Sequence, residues 1–237
     1  MEDLLRPGPR TNALVSRIDA VLFDWGDTLF ESPHAPSVIL QHARAQKIPM
    51  DAQTADAMWR ELWEAGKTPE EHAKGRDLSR VAHRQVWTSL FKRANGRLPG
   101  IDEVLYERVM NASVWKPYPD TAPTLRSLRS REIRIGVVSN HAFDLRPFFR
   151  EFGLADYIDA YALSYEIGVA KPAKRVFTEA CRMLRVEPLH ALMVGDDPVS
   201  DGGAGGAGLQ MYILPGYAHG GPRGLERVLH IVDASRR

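Results

Sequence analysis

The sequence has little cysteine, no excess of charge of either sign and no long hydrophobic run. Its single cysteine, Cys181, cannot form a disulfide within the chain, so we expect a reducing, cytoplasmic environment. There are 31 lysines and arginines against 30 aspartates and glutamates, which gives a formal net charge of +1. This balance provides no field to hold a polyanion, so neither nucleic acid nor an anionic membrane is an expected partner. No apolar run approaches the roughly 18 residues of a membrane-spanning helix.

The composition is that of a folded chain with a sizeable core. Of the 237 residues, 44% are hydrophobic and 26% are charged, which excludes the disordered and disulfide-scaffold classes of protein. Residues 1–17 contain acidic residues and prolines and lack a sustained apolar stretch. We therefore expect a short tail ahead of the first strand, and neither a secretory signal nor a lipidation site.

Short apolar runs recur along the chain with the composition of buried parallel strands. They cover residues 18–24, 133–140, 157–163, 190–196 and 209–214. Amphipathic stretches at 121–132 and 171–186 lie between them and have the spacing of helices. Alternation of strand and helix from about residue 118 onward predicts an α/β fold, a doubly wound parallel sheet of the Rossmann type with helices on both faces.

Residues 32–116 interrupt this alternation with an all-helical block. The apolar residues Ala55, Met58 and Leu62 fall on one helical face, and similar spacing continues to residue 109, which predicts about four helices. Because the block follows the first strand directly, it is an insertion in the α/β domain. The predicted organisation is an α/β core of residues 1–31 and 117–237 with a helical cap of residues 32–116.

Polar residues cluster where the predicted strands end, which is where open α/β sheets bind ligands. The segments are residues 24–29, 139–140, 168–172 and 195–201, and their acidic members are Asp24, Asp27, Asp196, Asp197 and Asp201. Carboxylates crowded at one sheet edge raise one another's pKa unless a cation lies between them, and an all-oxygen ligand set favours Mg²⁺. With the positive charge of Lys171 and the donors of Ser139 and Asn140, this edge is suited to a phosphoryl group.

These segments resemble the four motifs of the haloacid dehalogenase (HAD) superfamily, in the same order. The family's DxDGT[LV], strand-end Ser or Thr, Lys-Pro and GDxxxxD motifs match DWGDTL, VVSN, GVAKP and GDDPVSD. The resemblance covers essentially the whole chain, since the family also commonly inserts a helical cap after the first motif. It implies Mg²⁺-dependent hydrolysis of a small phosphorylated metabolite, with the cap closing over the site.

The resemblance implies a role for each matched residue. Asp24 is the expected nucleophile, forming an aspartyl-phosphate. The expected Mg²⁺ ligands are Asp24, the backbone carbonyl of Gly26, Asp196 and, directly or through water, Asp201.

Three further residues are expected to hold the substrate. Ser139 and the amide of Asn140 bind a phosphoryl oxygen, and Lys171 neutralises charge on the nucleophile and the phosphoryl group. His141 follows the second motif directly, so it is the histidine expected nearest to the substrate.

The first motif departs from the family pattern at one position. The family places its general acid/base two residues after the nucleophile, where this chain has Gly26, and the acid stands instead at Asp27. General acid/base catalysis contributes about 10²–10⁴-fold, so its loss weakens turnover without abolishing it. We expect Asp27, a water, or an acidic group of the cap or substrate to take part, and esters with good leaving groups to react disproportionately well.

Other functions remain open from the sequence. The chain is alternatively a phosphate-ligand-binding protein with little turnover, or a 2-haloacid dehalogenase-like hydrolase that needs no metal, although the acidic GDDPVSD loop weighs against the latter. Cleavage of a carbon–phosphorus bond in this family likewise uses a small residue at the position of Gly26. It adds a cap lysine that forms a Schiff base, for which Lys67 and Lys74 are candidates. In the cap, Trp59, Trp63, Trp87 and Phe91 are expected in the bundle core. A group of polar cap residues is expected mostly on a solvated face: His34, His72, Arg76, Arg80 and His83.

Overall fold

The protein is represented by a computed structural model that describes residues 16–216 and 220–237. The predicted N-terminal tail falls almost entirely in residues 1–15, outside the described residues. Within these ranges the strands are β1 (Ala20–Phe23), β2 (Phe30–Glu31), β3 (Lys116–Pro117), β4 (Arg134–Ser139), β5 (Ala160–Leu163), β6 (Ala191–Gly195) and β7 (Gln210–Ile213).

The described α-helices lie in two parts of the chain: residues 32–116, called the helical segment, and the remainder, called the α/β part. Those of the helical segment are α1 (Pro36–Ala45), α2 (Ala52–Gly66), α3 (Pro69–Ala73), α4 (Arg80–Phe91) and α5 (Ile101–Met110). Those of the α/β part are α6 (Thr121–Arg129), α7 (Arg146–Glu151), α8 (Ser164–Ile167), α9 (Lys174–Leu184), α10 (Gly203–Gly206) and α11 (Glu226–Ala234).

Five parallel strands form the central sheet in the order β5-β4-β1-β6-β7. Each of the five predicted apolar runs contains one of these strands, and β1 lies in the middle with Phe23 beside Val137 of β4 and Val194 of β6. Because the strands are parallel, the residues that follow them meet at one edge of the sheet. This edge carries the predicted motifs.

The two faces of the sheet are covered by different helices. Val21 and Phe23 of β1 join one hydrophobic cluster, which includes residues of α6 and α11, whereas Ala20 and Leu22 join a second cluster with residues of α9. This alternation follows from the two-residue period of side chains along a strand. The predicted doubly wound α/β fold is confirmed.

The chain from 36 to 110 contains five described α-helices, against the prediction of about four. The additional helix is α1, which starts at Pro36, ahead of the residues whose spacing predicted helices. At the two ends of the segment, Phe30 and Glu31 pair in antiparallel fashion with Pro117 and Lys116. This two-stranded ladder lies where the segment leaves the α/β part and returns to it, and the sequence pattern did not predict it.

The helical segment and the α/β part share one hydrophobic cluster. Leu62, Leu90 and Ile101 of the segment are buried in the same cluster as Phe23 and Val137 of the sheet. Among the helices of the described ranges, none has the length and apolar character needed to cross a lipid bilayer.

Candidate active site

Three carboxylates meet at the carboxyl ends of the central strands. Asp24 follows β1, Asp196 follows β6, and Asp201 lies five residues further along the same loop. One oxygen from each of the three lies within 4.8 Å of the others. The structure therefore brings together the carboxylates predicted as metal ligands, from two segments about 170 residues apart in sequence.

Lys171 is buried between two of these carboxylates. Its Nζ lies 2.7 Å from Asp24 Oδ1 and 2.6 Å from Asp201 Oδ1. Burial alone would lower the pKa of Lys171, but the charges of Asp201 and Asp24 outweigh it and raise the pKa above its usual range. The lysine is therefore charged, as its predicted role requires.

The remaining negative charge is incompletely balanced by this one lysine. Burial and the neighbouring carboxylates raise the pKa of Asp24 despite its ion pair with Lys171, and burial with Asp24, Asp27 and Asp201 raises that of Asp196. A divalent cation relieves this repulsion, and three converging carboxylate oxygens are suitable ligands for Mg²⁺. The remaining predicted ligand is the carbonyl of Gly26, which lines one cavity together with Asp24 and Asp196.

A glycine allows Asp201 to approach the sheet. A Cβ on Gly195, the last residue of β6, would lie only 2.0 Å from Asp201 Oδ2. That oxygen accepts a hydrogen bond of 3.0 Å from the backbone N–H of Asp197, and Asp201 is fully buried. The need for glycine at 195 was not predicted, although its place directly before the acidic loop was visible in the sequence.

The glycine-rich stretch 202–208 packs against the loop 168–172, which carries Lys171. It begins the short helix α10, and a Cβ on Gly203 would lie 2.5 Å from the carbonyl oxygen of Pro172, the residue after Lys171. The close approach of the two backbones therefore explains why residue 203 is a glycine. The low helical propensity of glycine gives no such reason.

Ser139 ends β4 and Asn140 follows it, and both line one cavity together with Asp24 and Asp196. Ser139 is buried. The side-chain amide of Asn140 donates to the carbonyl of Lys171 at 3.0 Å, and its Oδ1 accepts from the Lys171 N–H at 2.7 Å. The Asn140 side chain thus fixes the backbone that carries Lys171, which leaves the backbone amide as the Asn140 group suited to a phosphoryl oxygen.

Asp27 belongs to the first motif but makes different contacts from Asp24. Its φ of 54° is in the left-handed region, and its Oδ1 accepts a hydrogen bond of 3.0 Å from the backbone N–H of Ser32. Lys67 Nζ is 3.9 Å from Oδ2. Asp27 lines a neighbouring cavity that shares Trp63, Lys67 and Asp196 with the cavity of Asp24, although Asp27 is not itself among the residues that line the latter. The proposed transfer of a proton by Asp27 stays a prediction. The position of its carboxylate does not favour that role.

Thr28 completes the contacts of the motif. Its hydroxyl donates to Asp196 Oδ1 at 3.3 Å and so orients a carboxylate that is predicted to bind the metal.

Asp24 and Asp196 lie on the floor of a cavity of about 410 Å³, whereas Asp201 is fully buried. The helical segment supplies most of the remaining wall. The lining residues from that segment include Trp63, Lys67, His72, Arg76, Asp77, His83, Trp87 and Val109. His83 and Arg76 are buried, which corrects the expectation of a solvated polar face for these two. Lys67 is about half exposed, and Lys74 instead pairs with Glu71 at 2.7 Å.

Aromatic rings form a continuous wall from Asp24 into the helical segment. Trp25, next to Asp24, stacks on Trp115 with a centroid distance of 4.1 Å and lies 4.9 Å from the ring of His141. Further along, Trp63 and Trp87 stack at 5.4 Å. Trp63 and Trp87 thus line the cavity as well as packing in the segment, and the lining roles of Trp25 and Trp115 were not predicted.

His141 lies where it was expected, on the wall of the cavity. It packs against Phe143 at 4.0 Å and is 5.9 Å from the ring of His83. Burial, with a smaller effect of neighbouring charges, lowers the pKa of His83 to about 4 and that of His141 to about 3. Both rings are therefore neutral near neutral pH.

Ser164 joins the helical segment to the floor of the site. Its hydroxyl is fully buried, donates to the backbone carbonyl of Asp77, and accepts from the N–H of His141 at 2.9 Å. Asp77 in turn lies 3.5 Å from His72 Nδ1 and 3.5 Å from Arg76 Nε. The sequence offered no signal for this contact, because Asp77 and Ser164 are 87 residues apart.

Comparison with known proteins identifies relatives of the whole arrangement. The family model described as haloacid dehalogenase-like hydrolase matches residues 18–208. A glyceraldehyde 3-phosphate phosphatase of Methanopyrus kandleri is 32% identical over 187 residues, 76% of each chain. A ribulose-1,5-bisphosphate 5-phosphatase of Halopiger xanaduensis is 29% identical over 206 residues, covering 82% of this chain and 84% of the relative.

Solved structures share the fold. An L-2-haloacid dehalogenase of Xanthobacter autotrophicus superimposes with a TM-score of 0.64 at 23% identity, covering 85% of this chain and 79% of the other.

Proposed function

The chain belongs to the haloacid dehalogenase-like hydrolases, and we propose that it is a Mg²⁺-dependent phosphatase acting on a small phosphorylated metabolite. The observation that carries this proposal is the convergence of Asp24, Asp196 and Asp201 beside Lys171, with Asp24, Asp196 and Lys171 lining one cavity. The phosphatases among its relatives support the same reaction class. The cytoplasmic location predicted from the single cysteine stays a prediction.

The residues that would hold Mg²⁺ are Asp24, Asp196 and the carbonyl of Gly26, with Asp201 joining directly or through water. Both oxygens of Asp201 already accept hydrogen bonds, from Lys171 and from the N–H of Asp197, which favours the water-mediated form. When bound, the ion would shield the approach of one anion to another and stabilise charge on the transferring oxygens.

Asp24 is proposed as the nucleophile. A carboxylate oxygen attacks phosphorus, the bond from phosphorus to the leaving oxygen breaks, and an aspartyl-phosphate forms on Asp24. Water then attacks this intermediate, releases inorganic phosphate and restores the carboxylate. Lys171 donates to Asp24 Oδ1 at 2.7 Å, which leaves the other carboxylate oxygen to attack.

Ser139 and the backbone amide of Asn140 are proposed to hold the phosphoryl oxygens, with Lys171 balancing their charge. His141 forms the wall next to this position, in keeping with its predicted contact with substrate. Residues 32–116 are proposed as the cap that covers the site, because their helices supply the wall facing the carboxylates.

The leaving oxygen must acquire a proton, and Gly26 provides no side chain to donate it. With Asp27 bound to the Ser32 N–H at the neighbouring cavity, we propose that water supplies this proton. Turnover then depends on how well the leaving group departs by itself.

The test is phosphate release from p-nitrophenyl phosphate, with and without Mg²⁺. We expect wild-type activity to require the metal and to fall about 10³-fold or more in Asp24→Asn. Asp19→Asn, at the opposite end of the same strand, is the matched control and should retain activity.

Two other outcomes would replace the proposal. Thermal stabilisation by phosphate and Mg²⁺ without any turnover would identify a phosphate-ligand-binding protein. Halide release from a 2-haloacid in the absence of metal would identify a dehalogenase.

A further inference from the structure

The cavity presents aromatic surface where the leaving group of the substrate must lie. A Cβ placed on Gly26 would lie 3.5 Å from the Trp115 ring, and this is the position from which the family's acid reaches the leaving oxygen. Trp115 stacks on Trp25, and its ring is 6.2 Å from that of His141. A leaving group beside Gly26 would therefore contact the ring of Trp115.

The aromatic surface continues away from the carboxylates into the helical segment. The rings of His141, His83 and Trp87 follow one another at 5.9 and 6.2 Å, and Trp63 stacks on Trp87. The two histidines are neutral near neutral pH, so they present uncharged ring surface. A flat apolar group gains more from such a wall than a chain of hydroxyl groups.

The polar groups near this wall are already engaged with one another. Arg76 lies over the Trp87 ring at 4.5 Å, donates to the carbonyl of Gly66 and pairs with Asp77. His72 contacts the same carboxylate. A sugar phosphate placed here would leave hydroxyl groups facing rings without hydrogen-bond partners, which costs binding free energy.

The charge of the wall decides between two kinds of ligand that aromatic rings bind. Tryptophan rings also attract quaternary ammonium groups. However, the basic side chains of Arg76 and Lys67 line this cavity, whereas Asp77 is held between His72 and Arg76. An additional cation is therefore disfavoured relative to a neutral or anionic ring.

We propose that the substrate is a phosphate monoester of an aromatic alcohol, whose ring binds against Trp115, Trp87 and Trp63 while the phosphoryl group lies at Asp24. This inference rests on the proposed phosphatase function and names its substrate class. It agrees with the missing acid at Gly26, because aromatic alcohols leave with less protonation than aliphatic ones.

The experiment separates ring recognition from the ease of departure. Phenyl phosphate is compared with hexafluoroisopropyl phosphate, whose alcohol has similar acidity but no ring, by phosphate release from wild-type protein with Mg²⁺. We expect kcat/KM for the phenyl ester to be about tenfold higher or more, the effect of one to two ring contacts.

Variants of Trp63 test whether the wall is responsible. Trp63→Leu should reduce the phenyl preference about fivefold, while Trp63→Phe, which keeps a ring, should retain most of it. Trp59 cannot serve as the control, because its ring stacks on Trp63 at 5.0 Å. The control is Tyr212→Leu, because Tyr212 lies on the edge strand β7 and is not among the residues that line this cavity. It should leave the ratio of the two substrates unchanged.

The possible failures are distinguishable. Equal kcat/KM for the two esters, or faster hydrolysis of choline phosphate than of phenyl phosphate, overturns the aromatic substrate class and leaves the phosphatase function standing. Absence of phosphate release from every ester with Mg²⁺ overturns the proposed function and this inference together.

Discussion

At the scale of single residues, the exchange of Gly26 and Asp27 relative to the family pattern is the feature on which the proposed proton transfer depends. Gly26 is not among the glycines with positive φ, so its backbone accepts an L side chain, and a Cβ there makes ordinary contact with Trp115. Asp27, in contrast, occupies the left-handed conformation and binds the Ser32 N–H. The proton donor is thus missing at a position that has room for it.

Gly26→Asp should restore a general acid. We expect kcat for alkyl phosphates with poor leaving groups to rise by about 10²-fold, with a smaller rise for p-nitrophenyl phosphate, whose leaving group needs little protonation. The measurement is the dependence of kcat on leaving-group pKa, which should be steep in wild type and shallow in the variant.

Asp27→Asn is the control for this series. Because Asp27 lies at the neighbouring cavity, its neutralisation should leave the leaving-group dependence unchanged. A selective loss of activity toward poor leaving groups in Asp27→Asn would instead identify Asp27 as the proton donor.

Two buried neutral histidines make stability depend on pH. Burial lowers the pKa of His83 to about 4 and that of His141 to about 3, below the value of about 6.5 in an unfolded chain. At these two histidines the unfolded state therefore binds more protons below about pH 6.5, so their contribution to stability falls as the pH decreases. The raised pKa values of Asp24 and Asp196 contribute with the opposite sign, so the histidine contribution is measured as a difference from wild type. Each histidine should cost about 2 kcal/mol of unfolding free energy between about pH 7 and about pH 5.

His141→Phe should reduce this dependence by the contribution of one histidine, measured by urea denaturation at both pH values. The exposed His230 on α11 provides the control, because His230→Gln should leave the slope as in wild type. An unchanged slope in His141→Phe would show that His141 is not the group that resists protonation.

At the scale of elements, the turn at Arg76–Leu78 connects the helical segment to the site. It is a short 3₁₀ turn between α3 and α4, and its Asp77 carbonyl accepts from the hydroxyl of Ser164 at the start of α8. The same hydroxyl accepts from the backbone of His141. One side chain thus sets the position of the cavity wall relative to the phosphoryl site.

Ser164→Ala should weaken this connection. The buried carbonyl of Asp77 and N–H of His141 would lose a partner, which we expect to cost about 1–3 kcal/mol of stability. With the wall less fixed, KM should rise more than kcat falls. Steady-state kinetics and urea denaturation measure the two effects. Ser130→Ala, which removes an exposed hydroxyl bonded to the Ser127 carbonyl, should change neither.

At the scale of the whole molecule, we expect the helical segment and the sheet to unfold cooperatively, because they share one hydrophobic cluster. Of the five tryptophans, four lie between residues 59 and 115, so tryptophan fluorescence reports mainly on the segment. Cys181 lies in the other cluster, on the far face of the sheet, and burial raises the pKa of its thiol to about 11. Native Cys181 should therefore react slowly with thiol reagents.

We expect the urea midpoint from tryptophan fluorescence to coincide with that from Cys181 labelling, because apolar contacts run without interruption from Leu90 and Ile101 to Phe23 and Val137. Far-UV circular dichroism over the same urea range is the reference for both. A fluorescence midpoint at clearly lower urea would mean that residues 32–116 unfold separately.

The sequence by itself determined the strands of the sheet and which polar side chains meet on the floor of the cavity. The apolar runs 18–24, 133–140 and 190–196 predicted both, because strand burial and strand-end loops are local properties and parallel strands bring those ends together. The tertiary structure decided what surrounds the floor. The stacking of Trp115 on Trp25, the link from Ser164 to Asp77 and the direction of the Asp27 carboxylate each depend on contacts made after the chain has folded. Residues far apart in sequence meet there through packing, which no local pattern records.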